Sequence, residues 1–182
     1  MQIATAQQDM ATAYVRGAPG VFISGLVWLI AGILWDRAGI VTAFAALFVG
    51  GMLIFPASVL VSRLVFRSPP VTPGNPLQSL ALESTFGLFG GLFLAYCFLV
   101  TAPEFAFPAM AICIGVRYLV FRTLYGLRTY WILGGMVAMA GVVSAMEVLT
   151  LPLNLALMVG AIEVILALVI LLARKTPTPS AA

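Results

Sequence analysis

Six stretches of this chain run for 18 to 25 residues with almost no interruption by charge: 18–35, 39–62, 77–101, 105–125, 131–149 and 155–173. Nothing else in the sequence restricts the fold so tightly. A helix needs about 20 apolar residues to cross a hydrocarbon core roughly 30 Å thick. Inside that layer no water can satisfy backbone N–H and C=O groups, so segments of this length must bond internally as helices. The expected fold is therefore all-α, a bundle of six transmembrane helices. Composition agrees: of 182 residues, 63% are hydrophobic and 8% charged, against about a quarter charged in soluble domains.

The polar connections divide the chain into three regions. Residues 1–17 form an N-terminal cytoplasmic or interfacial segment. Here Ile3, Ala6, Met10, Ala13 and Tyr14 recur among Gln7, Gln8 and Asp9, as in a short interfacial helix or a frayed tail. Residues 18–173 form the six-helix domain, and 174–182 read as a disordered tail. The first apolar run leads into "WDRAG" and a second run, so it reads as an uncleaved helix and not a signal peptide. Pro56 should kink the second span, and Asn75 followed by Pro76 suits the start of the third.

Basic residues test the count of six. On that count Arg16, Arg63, Arg67, Arg122, Arg128, Arg174 and Lys175 share one side, and only Arg37 lies on the other. Basic loops stay in the cytoplasm, so both termini are expected there. Tyr125, Tyr130 and Trp131 fall at that boundary and Trp35 at the opposite one, where interfacial aromatics belong. The lipid bilayer is the expected partner. The scattered arginines offer no nucleic-acid surface. With no histidine and two cysteines, Cys97 and Cys113, no metal site or other cofactor site is expected. Neither a Ser–His nucleophile nor a Walker loop is present, so no enzyme is expected.

Four ionisable residues fall within the expected spans: Glu83, Arg117, Glu147 and Glu163. A charge at bilayer depth costs roughly 2.5–3.5 kcal/mol on insertion scales and usually has a partner. Glu163 shares a helical face with Ala156, Gly160 and Ala167, small residues of the kind that mark close helix contact. Glu83 shares its face with Ser79, Gly87 and Gly90, and Gly87 with Gly91 makes a small-xxx-small pair. Glu147 follows Ala140 and Ser144. Arg117 stands eight residues before Tyr125, about 12 Å deep, and Glu163 ten before Ala173, about 15 Å deep. Matching depth suggests that Arg117 pairs with Glu163, with Glu83 or with both. The cluster then serves helix packing alone, or a substrate or proton pathway; otherwise Arg117 reaches lipid headgroups.

Three stretches carry a resemblance: "QQDMATAYVRGAPGVFISGLVWLIAGIL", "GNPLQSLALESTFGLFGGLFLAYCFL" and "AMAICIGVRYLVFRTLYGLRTYWILGG". The chain resembles an uncharacterised family of small bacterial multi-pass integral membrane proteins. That resemblance implies the bacterial cytoplasmic (inner) membrane and supplies no catalytic residues. Arginine makes up eight of the nine basic residues, which also suits a GC-rich bacterial genome. Two functions follow. One is a non-enzymatic structural or partner-binding role, with a homo-oligomer or another membrane protein as partner. The alternative is a small-solute or proton-coupled permease using the Glu/Arg cluster, which requires water to reach Glu163. No substrate is legible.

Overall fold

The computed structural model describes residues 1–147 and 153–173. Among them the α-helices are α1 (Ile3–Ala13), α2 (Ala18–Ala38), α3 (Ile40–Leu64), α4 (Leu77–Thr101), α5 (Ala106–Tyr125), α6 (Thr129–Ala145) and α7 (Leu155–Ala173), and there is no strand. Five stretches are long and apolar enough to cross a membrane: Val15–Ala38, Ile40–Leu64, Leu77–Thr101, Pro103–Tyr125 and Leu155–Ala173. The helix in the place of the fifth expected span, α6, has 17 residues, about 26 Å of rise.

Its early end moves one residue. Glu147 was expected inside that span, on a face with Ala140 and Ser144. It lies two residues beyond α6, exposed, with φ 52°. A left-handed residue cannot continue the helix, so Glu147 shares no helical face. Residues 148 and 149 of the expected span lie outside the described residues, as do most of the expected turn after it and the 174–182 tail with Arg174 and Lys175.

The long helices form an arc in the order α3, α2, α7, α6, α5, α4, each packed mainly on its neighbours in that series. Small residues set the spacing. A methyl group on Gly25 of α2 would come within 2.9 Å of the Gly160 carbonyl oxygen of α7, and one on Gly160 within 2.8 Å of the Gly25 oxygen. Gly115 of α5 and Gly134 of α6 approach in the same way. Ala156 and Ala167 are fully buried on the α7 face with Gly160. The interior is closed by Trp28, Phe107 and Tyr130, with Trp28 and Phe107 edge-on at 5.9 Å. At the arc's two ends, α3 and α4 leave many of their apolar side chains exposed, among them Met52, Leu53, Leu82 and Phe86.

Gly87 was expected at a helix contact and is not at one. It is exposed, and a Cβ on it would meet nothing within 4 Å. Gly91, one turn on, does pack: its Cβ would strike the Cys113 sulfur of α5 at 2.5 Å. Only the Gly91 edge of α4 faces α5, so Gly87 and Gly90 belong to the outward face.

Residues 3–13 form a docked helix. Ala6, Met10 and Ala13 are buried, and Ala6 and Met10 join Leu77 and Leu124 in a second apolar cluster under α4 and α5. Polar bonds tie α1 down. The Asp9 carboxylate accepts from the Thr72 hydroxyl at 2.9 Å and from the Asn75 amide at 2.7 Å. Asn75 also donates to the Ala6 carbonyl, while its Oδ1 accepts from the Leu77 N–H at 3.0 Å, capping α4. Gln7 donates to the Thr123 carbonyl at 2.8 Å. The chain enters α2 through Val15, Arg16 and Gly17, all at positive φ. Tyr130 and Tyr125 crowd Gly17 so closely that a Cβ there would clash with both.

Two outcomes follow from these contacts. The Asn75 amide, more than the Thr72 groups, holds the Asp9 carboxyl below its ordinary value of 3.8. A depressed pKa stabilises the fold fully above the unfolded value and loses that contribution as pH falls through the folded one. Amide protection factors across α1 should therefore drop below about pH 4, and Asp9→Ala should abolish that acid dependence. Separately, Gly160→Leu should lower stability in detergent by about 1–3 kcal/mol or more through overpacking. Gly87→Leu should stay within about 0.5 kcal/mol of the parent. Equal losses in thermal unfolding would mean that the α4 outward face is packed.

Candidate functional site

The close contact of Gly25 with Gly160 brings the next turn of α7 against α2. Three residues after Gly160 stands Glu163, fully buried, on the same helical face. Its Oε1 accepts a hydrogen bond from the Tyr118 hydroxyl of α5 at 2.9 Å. Ser24 of α2, also buried, lies beside both groups. The second carboxyl oxygen, Oε2, has no hydrogen-bond partner. Three helices thus meet on one carboxyl group.

Tyr118 extends the cluster toward the α1 end of the bundle. Its ring stacks on Tyr130 of α6 with centroids 6.3 Å apart and meets Phe121 edge-on at 5.6 Å. The Tyr130 hydroxyl donates to the Arg16 carbonyl at 2.7 Å. Each ring carries one polar tip: that of Tyr118 reaches the buried acid, and that of Tyr130 secures the turn between α1 and α2.

Arg117 is elsewhere. The expected pairing with Glu163 is replaced by a bond from Nη2 to the Thr85 hydroxyl of α4 at 3.1 Å, and the guanidinium lies 5.3 Å from the Phe121 ring centroid. Adjacent residues on a helix point about 100° apart. Arg117 therefore faces α4 while Tyr118 faces α7. The depths of Arg117 and Glu163 were comparable, but direction decided the partner. Glu83 does not join them either: it is exposed on the outward face of α4, with Gly87 and Gly90. Of the four expected members, only Glu163 occupies this buried cluster.

Tyr118 and Ser24 were not singled out from sequence. A tyrosine in mid-span, seven residues before Tyr125, was a usable signal, because a buried hydroxyl needs a partner. Ser24 offered less, since a lone serine in a span often bonds its own helix. Among the described residues no group of three or more His, Cys, Asp or Glu side chains is placed to hold a metal ion. Cys97 and Cys113 are both free thiols.

The model of a family of unknown function, DUF7010, matches residues 3–173. That span takes in all seven helices, including the docked α1 and the Glu163 cluster. No curated protein and no solved structure matches the chain.

Loss of the Tyr118 hydroxyl leaves the Glu163 carboxyl without its donor. Tyr118→Phe should cost about 1–3 kcal/mol, as for other buried groups left unsatisfied. In thermal unfolding, the Tyr118→Phe/Glu163→Leu cycle should be non-additive by about 0.5–3 kcal/mol, and the Arg117→Leu/Glu163→Leu cycle additive within about 0.5 kcal/mol. The reverse pattern would make Arg117 the true partner of Glu163.

Proposed function

The chain belongs to this family of unknown function, and from that premise we propose that it is a six-span protein of the bacterial cytoplasmic membrane with a structural or partner-binding role and no enzymatic one. On this reading α6 is also a span, the fifth in chain order. Its buried stripe of Tyr130, Leu133, Gly134, Val137 and Gly141 supports that place in the bundle. The basic residues Arg16, Arg63, Arg67, Arg122 and Arg128 lie in or beside the segments that meet α1, which supports a cytoplasmic α1 end.

One observation carries the role: Glu163 has no exposed surface. A permease working through this acid needs water at it. Here the carboxyl group is enclosed by α2, α5 and α7 and held by a tyrosine. An acid held in this way serves packing specificity. The outward faces of α3 and α4, which contribute little to the interior, are the surfaces left for a partner.

Thiol labelling in native membranes tests the reading. With Cys97 and Cys113 replaced by alanine, Glu163→Cys should resist a small water-soluble thiol reagent until the protein is denatured. Pro73→Cys and Arg128→Cys should label from the cytoplasmic side. Rapid labelling at position 163 in native membranes would reject the structural role and favour the permease. Labelling of either loop from outside would reject the topology.

A further inference from the structure

A guanidinium at bilayer depth calls for an opposite charge, and among the described residues no carboxylate pairs with Arg117. The sequence contains six carboxylate side chains. Asp9 is bonded to Thr72 and Asn75, Asp36 to Asn154, and Glu163 to Tyr118. Glu83 is exposed on α4, two residues before Thr85 and so on nearly the opposite side of that helix. Glu104 and Glu147 lie in the α4–α5 and α6–α7 connections, at the end of the bundle remote from α1.

What Arg117 does have is sparse. A guanidinium presents five N–H donors and does not deprotonate in proteins. Its hydrogen bond goes from Nη2 to Thr85, and Nε is buried with no partner. Thr85 directs its own hydrogen to the Ala81 carbonyl at 3.0 Å, so it offers the arginine a lone pair and holds it in place. Arg117 is only partly buried, so an incoming group can reach it. The Phe121 ring beside the guanidinium also packs on the apolar cluster of Met10, Leu77 and Leu124.

We propose that Arg117, positioned by Thr85, is a binding site for a phosphate group. A planar guanidinium meets phosphate oxygens through two parallel hydrogen bonds, and these strengthen where water is excluded. The phosphate comes either from the headgroup of an acidic phospholipid in the leaflet at the α1 end or from free inorganic phosphate. The proposal uses the membrane setting of the previous section and is independent of whether Glu163 is closed.

Thermal unfolding of the full chain in non-ionic detergent tests it and separates the two sources. Phosphatidylglycerol should raise the Tm by about 5 °C or more near saturation, and diacylglycerol with the same acyl chains should not. A rise with inorganic phosphate over chloride at equal ionic strength, and none with phosphatidylglycerol, would assign the site to the free anion. Arg117→Gln should abolish the rise, and Arg128→Gln should leave it unchanged. Arg117→Lys keeps the charge without the planar fork; it should lose more than half of the rise, and it serves if the glutamine variant does not fold. The proposal fails if neither phosphate source raises the Tm, if diacylglycerol matches phosphatidylglycerol, or if Arg117→Gln or Arg117→Lys keeps the full rise.

Discussion

The meeting of Gly25 and Gly160 governs the interior, because helices in lipid gain nothing from hiding apolar surface from one another. Lipid tails are as apolar as leucine, so association rests on close packing and polar bonds. With each glycine within van der Waals reach of the other's carbonyl, α2 and α7 approach closely enough for Glu163 to leave the lipid altogether. Once there, it needs a donor from a third helix, and Tyr118 brings in α5. The same tyrosine stacks on Tyr130 of α6. Four helices are thus set by one backbone contact and the bond it makes reachable.

The two deep ionisable groups meet different fates. Burying a carboxyl and a guanidinium together repays its desolvation only when the geometry is good and all remaining donors and acceptors are satisfied. This chain separates them instead, giving each a hydroxyl: Tyr118 for Glu163 and Thr85 for Arg117. A hydroxyl fixes direction without cancelling charge. Each group is therefore held in place while keeping an unsatisfied atom, Oε2 on the acid and Nε on the base.

Much of this was legible in the sequence, and the misses share a cause. The places of the long apolar helices could be read because runs of that length and apolarity, bounded by Gly, Pro and charge, have few alternatives to helix. Which side of each helix faces inward could not be read as well, since lipid-facing and buried residues are both apolar and the usual amphipathic period fades. The stripe through Gly87 and the stripe through Gly160 looked alike, yet only the second is packed. Depth alone matches Arg117 to Glu163, but the residue beside Arg117 holds the bond. The apolar run continues past the turn at Met146, so hydropathy alone places Glu147 within a helix that has already ended. The docking of α1 depends on Asp9 meeting residues more than 60 positions away, which no local pattern reveals.

Those distant partners also order events in time. Thr72 and Asn75 emerge from the ribosome about 65 residues after Asp9, while Thr123 follows Gln7 by 116 and Tyr130 follows Arg16 by 114. At roughly 5–20 residues per second, α1 waits about 6–23 s before its last partner exists. Until Leu124 is made, the cluster that Ala6 and Met10 enter is incomplete. α1 is thus synthesised before the helices it packs on, and its docking reports that α4 and α5 are already in place.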